Sequence, residues 1–416
     1  MHHPEEELLG ILNKAGVNFT SSLPCEKIKN LLEIIVAAYS RTPLHHVPLT
    51  REEEGVGICA GACLAGKRPA MFVQSSGIGN MINALLSLTA FYELPLAVFV
   101  SLRGVYKEKM EAQFPMGRRL PGIFQGAGIP YSVINTAADF KVVGKKLDEI
   151  YSKNKIHAFL LSPAIWEKSG VRSQRSKLQM QDLECGARSA IQCAIPPFEK
   201  SIRRSPAAKS VPPSLPLEKR GGSGFSKGTK PKFTRFEILK IVAPYLNSKV
   251  VVCNLGFPSK ELFHIHHQPS NFYMLGSMGM ATPIGLGISL SSKKEVFVID
   301  GDGSLLMNPG TLATAAYMSP ENLTVLAIDN SVYGSTGNQP TLTGSCVDLE
   351  AVAQGFGIRN TCKVSTRKEL TDILKNPAKG LRFVHILAVS GNKDLPAISL
   401  NHLEIKREVQ EFIRGT

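Results

Sequence analysis

Two short apolar segments in the second half of the chain each run into residues that can bind a metal. Val296–Ile299 is followed by Asp300-Gly301-Asp302-Gly303, and Leu323–Ile328 is followed by Asp329-Asn330. If both segments are strands of one parallel sheet, their carboxyl ends open on the same edge, where open α/β folds bind ligands. Asp302 and Asn330 can then offer oxygens to one small hard cation. Magnesium prefers such oxygens and usually shares a phosphate with its protein site.

The segment between these strands decides whether they are parallel. Asn308-Pro309 is typical of a helix N-cap followed by proline at the first helical position, and the helix is predicted to end near Ser319-Pro320. A strand, helix and strand of this length form a parallel pair. Gly301 and Gly303 let backbone N–H groups approach a phosphate. An isolated Gly-Asp-Gly is usually a plain turn, but this context favours a diphosphate held through a metal.

In the first 170 residues, segments with apolar residues at helical spacing alternate with short apolar segments typical of strands. This alternation predicts a parallel sheet with helices on both faces. The predicted elements are Glu5–Lys14, Cys25–Tyr39, His45–Leu49, Arg51–Leu64, Ala70–Gln74, Asn80–Tyr92, Leu96–Ser101 and Ile156–Leu161. At 416 residues the chain is long enough for two or three domains. We expect an α/β fold of two such domains, residues 1–170 and 232–416, joined by residues 171–231.

Residues 171–231 have the composition of a flexible linker. From Arg172 to Pro231 there are twelve lysines and arginines against four acids, which accounts for +8 of the net charge of +14. The same stretch holds Pro196-Pro197, Pro212-Pro213 and Gly221-Gly222-Ser223-Gly224. Such a run is usually solvated, so we expect no specific nucleic-acid partner, although a basic tether can touch RNA nonspecifically.

Cysteine usage and hydropathy indicate a cytoplasmic protein. The eight cysteines are scattered without a C-x-x-C pair, as expected for reduced thiols and not for disulfides or a zinc site. No apolar run approaches the ~18–20 residues that span a bilayer. The acidic start, Met1–Glu7, is unlike a signal peptide. We expect no membrane association.

Two segments of the first domain can also carry chemistry. Arg51-Glu52-Glu53-Glu54 follows a predicted strand, and acids at a helix start are favoured by the macrodipole. Gln74-Ser75-Ser76-Gly77-Ile78-Gly79-Asn80-Met81-Ile82-Asn83 follows another strand. Its glycines alone indicate no more than a tight turn, because the third glycine and the acidic partner of a dinucleotide site are missing.

Together these motifs resemble thiamine diphosphate-dependent enzymes. G-D-G with an asparagine further on resembles their metal-binding signature, and Q-x-S-G-x-G-N-x-x-N resembles a block of sulfopyruvate and phosphonopyruvate decarboxylases. The resemblance covers roughly residues 1–170 and 232–390. It implies a pyrimidine-binding domain followed by a diphosphate-binding domain. In sulfopyruvate decarboxylases these domains are often separate α and β subunits, which are fused here.

The resemblance implies thiamine diphosphate and Mg²⁺ as cofactors, and it assigns roles by position. The side chains of Asp302 and Asn330 and the carbonyl of Val332 would bind the metal, while Asp329 replaces the usual first Asn. A large apolar residue, here Met278, would wedge between the two cofactor rings. The further cofactor contacts are Gly256, Ser277, Gly301, Gly303 and Ser304.

The catalytic residue that the family implies is a glutamate that hydrogen-bonds the aminopyrimidine ring. This contact promotes the tautomer that removes the proton from the thiazolium carbon. Family sequences place the glutamate nine residues before a glycine, and Glu52 stands nine before Gly61. Glu53 is the alternative, one position out of register.

The implied substrate is a small anionic 2-oxoacid, and three residues are candidates to contact it. Arg103 could hold an oxyanion, since guanidinium suits planar and tetrahedral anions. Asn80 lies in the family block. His46 could orient substrate, although a histidine with its partners inside the core is also common.

The function implied is decarboxylation of 3-sulfopyruvate to sulfoacetaldehyde and carbon dioxide, in coenzyme M biosynthesis. Phosphonopyruvate decarboxylase or another 2-oxoacid decarboxylase is the alternative within the class. A noncatalytic partner-binding domain pair is the alternative outside it, and the presence of Glu52, Met278, Asp302 and Asn330 argues against that. By the family pattern we expect at least a homodimer.

Overall fold

The first domain is built on a parallel six-stranded sheet. The computed structural model describes residues 3–39, 45–167, 231–376 and 379–415, so the predicted linker lies outside the described residues. The strands, in the order β2-β1-β3-β4-β6-β5 across the sheet, are β1 Phe19–Ser22, β2 His45–Pro48, β3 Pro69–Gln74, β4 Leu96–Ser101, β5 Tyr131–Ile134 and β6 Ile156–Leu161. Every pairing in it is parallel.

Helices cover both faces of this sheet, as predicted. They are α1 Pro4–Lys14, α2 Lys29–Tyr39, α3 Glu52–Leu64, α4 Ile82–Ala84, α5 Phe114–Gly126 and α6 Phe140–Lys153. Alternate residues of β3 enter opposite cores, because successive side chains of a strand point to opposite faces. Ala70 and Phe72 pack with one cluster, whereas Met71 and Val73 pack with the other.

The second domain repeats this architecture. Its parallel sheet has the order β13-β14-β10-β9-β7-β8, and β11 and β12 form a separate antiparallel hairpin. The strands are β7 Val250–Cys253, β8 Asn271–Tyr273, β9 Val296–Gly301, β10 Leu323–Asp329, β11 Val332–Tyr333, β12 Gln339–Pro340, β13 Thr361–Val364 and β14 Arg382–Leu387. The helices are α7 Arg235–Val242, α8 Phe257–His266, α9 Ala281–Ser291, α10 Asp302–Met307, α11 Gly310–Met318, α12 Leu349–Gly355, α13 Arg367–Lys375 and α14 His402–Arg414. None of the helices in the described ranges is long and apolar enough to cross a bilayer.

One helix cap was predicted wrongly. Asn308-Pro309 directly precedes α11, which begins at Gly310, but α10 already begins at Asp302 and was not predicted. The Asn308 side chain does not cap α11. It donates to the Gly279 carbonyl (3.4 Å) and to Glu53 Oε2 (3.4 Å). The residue therefore links the two domains.

The two domains meet where α3 crosses α9. A Cβ added to Gly61 would lie 2.0 Å from the Ile284 carbonyl oxygen, and one added to Gly287 would lie 2.0 Å from that of Ile58. The helix backbones therefore touch, which only glycine at these two positions allows. Hydroxyls tie the surrounding surfaces, with Ser87 Oγ 2.6 Å from Ser277 Oγ and Tyr92 donating to the Tyr273 carbonyl at 3.1 Å.

We predict opposite effects for two Gly→Ala substitutions in helices. Gly61→Ala should lower stability by roughly 1–3 kcal/mol, because its methyl group must push α9 away. Gly10→Ala in α1 is the matched control, since nothing lies within 4 Å of the added Cβ. It should raise stability by about 0.5–1 kcal/mol. Thermal unfolding of both variants measures this, and a Gly61→Ala variant that is as stable as the wild type would disprove the close crossing.

Candidate active site

The predicted metal ligands converge at one edge of the second sheet. Strands β9 and β10 run parallel with Ile328 opposite Gly301, so Asp302 and Asn330 follow strands that end at the same edge of the sheet. Both side chains are buried. Asn330 Oδ1 accepts the Val332 N–H at 3.4 Å, which closes the turn after β10. The sheet register thus brings together the three residues predicted to bind a cation.

Two threonines that sequence reasoning missed hold Asp302 in place. Thr341 and Thr343 are buried in the loop after β12, and both hydroxyls contact Asp302 Oδ2, that of Thr343 at 3.0 Å. Thr343 also contacts Asp329 Oδ1 at 2.8 Å. No motif marks these threonines, because the loop after β12 brings them back to the sheet edge from more than ten residues away.

The two neighbouring carboxylates at this edge of the sheet favour a bound cation. Burial and then the neighbouring Asp329 carboxylate raise the pKa of Asp302 above its usual value. The pKa of Asp329 is lowered in spite of burial, because His385 and Thr343 hydrogen-bond its carboxylate. Within the described residues no cluster of three His, Cys, Asp or Glu side chains could hold a metal. A site made of one carboxylate, one amide and one carbonyl oxygen suits Mg²⁺, which prefers hard oxygen ligands.

Glycines allow close packing in the turns beside Asp302. A Cβ on Gly303 would lie 2.3 Å from the ring of Tyr333, so this ring covers the backbone there. Gly256 has φ +82° and precedes α8, where any larger side chain would be strained. Ser304 Oγ accepts the Gly279 N–H at 3.1 Å. Gly301, Gly303, Ser304 and Gly256 therefore lie in two strand-to-helix turns of the same sheet.

The turn that carries Met278 is held from both domains. Ser277, at φ +59°, is buried and reaches Ser87 of the first domain. Gly279 is bound to Ser304 at the start of α10. Met278 itself is half-buried between these two attachments. Its predicted position, at the junction of the two domains, is compatible with a wedge between cofactor rings, and that role stays a prediction.

The three consecutive glutamates of α3 have three different sets of partners. Glu54 Oε1 accepts from the Thr50 backbone and hydroxyl and, across the domain junction, from Thr314 at 3.0 Å. Glu53 Oε2 lies 3.7 Å from Arg51 and 3.4 Å from Asn308. Glu54 is thus a helix cap, as expected, and Glu53 contacts the second domain.

Glu52 alone faces the predicted G-x-G-N segment. Asn80 Nδ2 donates to Glu52 Oε2 at 3.0 Å, and a Cβ on Gly77 would lie 2.1 Å from Glu52 Oε1. Glu52 is buried, while Asn80 and Gly79 are exposed. Asn80 was predicted to contact substrate, which stays a prediction, and its side chain hydrogen-bonds the carboxylate of Glu52.

Arg103 is not at an open anion site. It forms a buried bidentate ion pair with Glu108, with Nη2 to Oε1 at 2.9 Å. This guanidinium holds the pKa of Glu108 well below its usual value. Glu108 also accepts the backbone N–H groups of Lys109 and Met110 at 3.0 Å. Arg103 therefore holds the loop after β4, and a substrate anion would have to displace Glu108 to reach it.

His46 has both ring nitrogens within reach of hydroxyls in its own sheet. Thr20 Oγ1 lies 3.0 Å from Nδ1, and Ser22 Oγ lies 3.2 Å from Nε2. Burial lowers the pKa of His46 to about 4, so the ring is neutral near pH 7. A substrate contact would require one of these hydrogen bonds to break. A cavity of about 770 Å³ near His45 lies at the amino ends of β1 and β2 and is lined by none of the predicted site residues.

Comparison with known proteins agrees with this geometry. Residues 252–386 match the family described as thiamine pyrophosphate enzyme, C-terminal TPP binding domain. A sulfopyruvate decarboxylase from Methanosarcina acetivorans is 37% identical over 414 residues, which covers 99% of this chain and 98% of the relative. The chain belongs to the sulfopyruvate decarboxylase family. The predicted thiamine diphosphate-dependent decarboxylase is confirmed at this level.

The two halves also match separate subunits of this family. The α subunit from Methanothermobacter thermautotrophicus is 39% identical over 37% of this chain and 93% of its own length. The β subunit from Methanocaldococcus jannaschii is 48% identical over 43% of this chain and 97% of its own length. The predicted fusion of α and β parts is therefore confirmed.

More distant relatives support the class and the fold. A phosphonopyruvate decarboxylase from Streptomyces viridochromogenes is 28% identical over 98% of this chain and 94% of its own length. The solved 4-hydroxybenzoylformate decarboxylase of Rhodococcus jostii RHA1 superposes with a TM-score of 0.64 at 15% identity, covering 94% of this chain and 100% of that one. At that identity the match supports the fold alone.

We predict that Glu52→Gln still binds thiamine diphosphate but slows exchange of its thiazolium C2 proton by about 100-fold or more, as expected for loss of an acid–base group. A neutral amide keeps the hydrogen bond to Asn80 but cannot share a proton with the aminopyrimidine ring. The exchange is followed by NMR after transfer into D₂O. Glu53→Gln is the matched control and should exchange normally. The reverse pattern would show that the assignment is one residue out of register.

Proposed function

We propose that this protein decarboxylates 3-sulfopyruvate to sulfoacetaldehyde and carbon dioxide, with thiamine diphosphate and Mg²⁺ as cofactors, as a step of coenzyme M biosynthesis. The observation that carries the proposal is that the two domains pack against each other in one molecule. The first domain carries Glu52 at the edge of its sheet, and the second carries Asp302 and Asn330 at the edge of its own. Hydrogen bonds such as that from Thr314 to Glu54 connect the two domains. The sulfopyruvate specificity is carried over from the relative that is 37% identical over 99% of this chain.

The residues divide the work between the two domains. Asp302, Asn330 and the Val332 carbonyl would hold Mg²⁺, and the glycines at 301, 303 and 256 would admit the diphosphate. When bound, thiamine diphosphate supplies a nucleophilic carbon for the keto group and a sink for the electrons released with carbon dioxide. Glu52, buried and fixed by Asn80, would hold or release a proton at the pyrimidine end. Met278, between the two attachments of its turn, would fix the relative placement of the cofactor's rings.

A side-by-side assay tests the proposal. The purified chain, with thiamine diphosphate and Mg²⁺, is offered sulfopyruvate, phosphonopyruvate and pyruvate, and carbon dioxide release is measured. We expect the highest kcat/KM for sulfopyruvate. Preference for phosphonopyruvate would favour the alternative within the class, to which a relative at lower identity belongs. Binding of the cofactor without turnover of any oxoacid would favour a noncatalytic domain pair.

We also propose that the protein assembles at least as a dimer, since relatives of its two halves are named as subunits. Whether a site takes both edges from one chain can be measured by mixing two inactive variants. Glu52→Gln damages only the first domain's edge, and Asp302→Ala damages only the second's. In the structure the two domains of one chain already pack together through α3 and α9, so we expect refolded mixed dimers to stay inactive. Recovery toward a quarter to a half of wild-type activity would mean that sites form between chains.

A further inference from the structure

His385 is a buried residue that the proposed mechanism does not use. It lies on β14, beside β10, with Ala327 as its register partner. Asp329 is two residues beyond Ala327, so the two side chains occupy the same face of the sheet as diagonal neighbours. His385 Nε2 is 2.9 Å from Asp329 Oδ2, and both residues are buried.

Asp329 contacts both sides of the predicted metal site. Its Oδ1 accepts the Ser331 N–H at 3.0 Å, which fixes the turn that presents Asn330. The same oxygen contacts the Thr343 hydroxyl at 2.8 Å, and Thr343 reaches Asp302 Oδ2 at 3.0 Å. One carboxylate, itself not an assigned ligand, therefore sets the positions of both Asp302 and Asn330.

The far side of the His385 ring faces Asp348 without a hydrogen bond. Its Nδ1 lies 3.5 Å from Asp348 Oδ1, too long for a hydrogen bond, and this nitrogen has no hydrogen-bond partner among the described residues. Asp348 caps α12 through the N–H of Glu350 at 3.0 Å and also pairs with Lys363. The ring therefore sits between two carboxylates, and its one hydrogen bond points toward the metal site.

We infer that His385 is a positioning residue for Mg²⁺, acting through Asp329 on the Asp302–Asn330 site. The inference rests on the proposed function, because it requires the metal to bind there. A buried carboxylate that loses a hydrogen-bond donor must move or be resolvated. Either change at the Asp329 carboxylate would shift the turn at Asn330 and the Thr343 contact to Asp302. Partners of this kind behind a metal site commonly alter metal affinity by about 10–100-fold.

The test compares two amides at position 385. Asn and Gln bring the same group, but only Gln places its N–H at the position of the imidazole Nε2. The Mg²⁺ dissociation constant is measured by calorimetry in the presence of saturating thiamine diphosphate. We expect His385→Asn to weaken Mg²⁺ binding by about 10–100-fold and His385→Gln to restore most of the loss. Lys363→Met, which removes only the outer ion pair, is the control and should bind Mg²⁺ normally.

A double-mutant cycle asks whether His385 acts through Asp329. In an Asp329→Asn background, a further His385→Asn change should weaken Mg²⁺ binding by no more than about twofold, because the carboxylate that His385 holds is gone. Additive losses would overturn the inference, and so would equal effects of Asn and Gln at position 385. Melting temperatures without metal report whether each variant folds.

Asp302→Ala separates the failure of this inference from failure of the metal site itself. If Asp302→Ala abolishes Mg²⁺-dependent cofactor binding while His385→Asn does not change it, only the role of His385 is wrong. If Asp302→Ala also binds Mg²⁺ normally, the metal assignment fails and the inference fails with it.

Discussion

The crossing of α3 and α9 is the contact on which the site depends. Glu52 begins α3, and the turn carrying Met278 leads into α9. Because glycines let the two backbones touch at Gly61 and Gly287, the start of α3 and the turn before α9 are brought to the same side of the junction. Larger side chains at this contact would move the two helices apart. The residues predicted to bind the pyrimidine would then be separated from those predicted to bind the diphosphate, although one small cofactor has to contact both.

Each buried acid at the junction has donors that sequence reasoning did not identify. Glu52 has Asn80, Glu54 has Thr50 and Thr314, and Asp302 has Thr341 and Thr343. Burying a carboxylate is costly unless hydrogen bonds or a cation replace the lost water. Asp302 and Asp329 are two buried carboxylates close enough that the charge of Asp329 raises the pKa of Asp302. This pair also lies where the predicted oxygen ligands of Mg²⁺ converge.

The fold class and the edge of the sheet that carries the metal ligands could be predicted, because apolar segments and their polar ends are local features. Val296–Ile299 and Leu323–Ile328 were found as strands for this reason, and their parallel pairing placed Asp302 and Asn330 at the same edge of the sheet. The edge strand Tyr131–Ile134 was missed, since it is only partly buried and its apolar pattern is weak. Asn308 was misread as a helix cap because its partner, Glu53, lies 255 residues away.

Side-chain roles were harder to predict than the positions of side chains. Arg103 was correctly placed at the end of a strand, yet nothing local shows that Glu108, five residues on, occupies its guanidinium. Asn80 was predicted as a substrate contact from its sequence block, but its hydrogen bond to Glu52 depends on the packing of two loops. In both cases the sequence specifies a donor, and only the folded loops decide which acceptor it meets.

The three glutamates show that adjacent positions on a helix can have different partners and therefore different roles. Successive side chains on a helix are rotated by about 100°, so Glu52, Glu53 and Glu54 cannot face the same partner. Glu54 Oε1 accepts from the helix start and from Thr314 while its Oε2 is buried without a hydrogen-bond partner among the described residues, and Glu53 is directed to Arg51 and Asn308. Glu52 is left with one amide donor and the open backbone of Gly77. A carboxylate that exchanges a proton with a bound ring needs a free oxygen, and of the three glutamates Glu52 is the one whose surroundings leave its Oε1 beside a residue with no side chain.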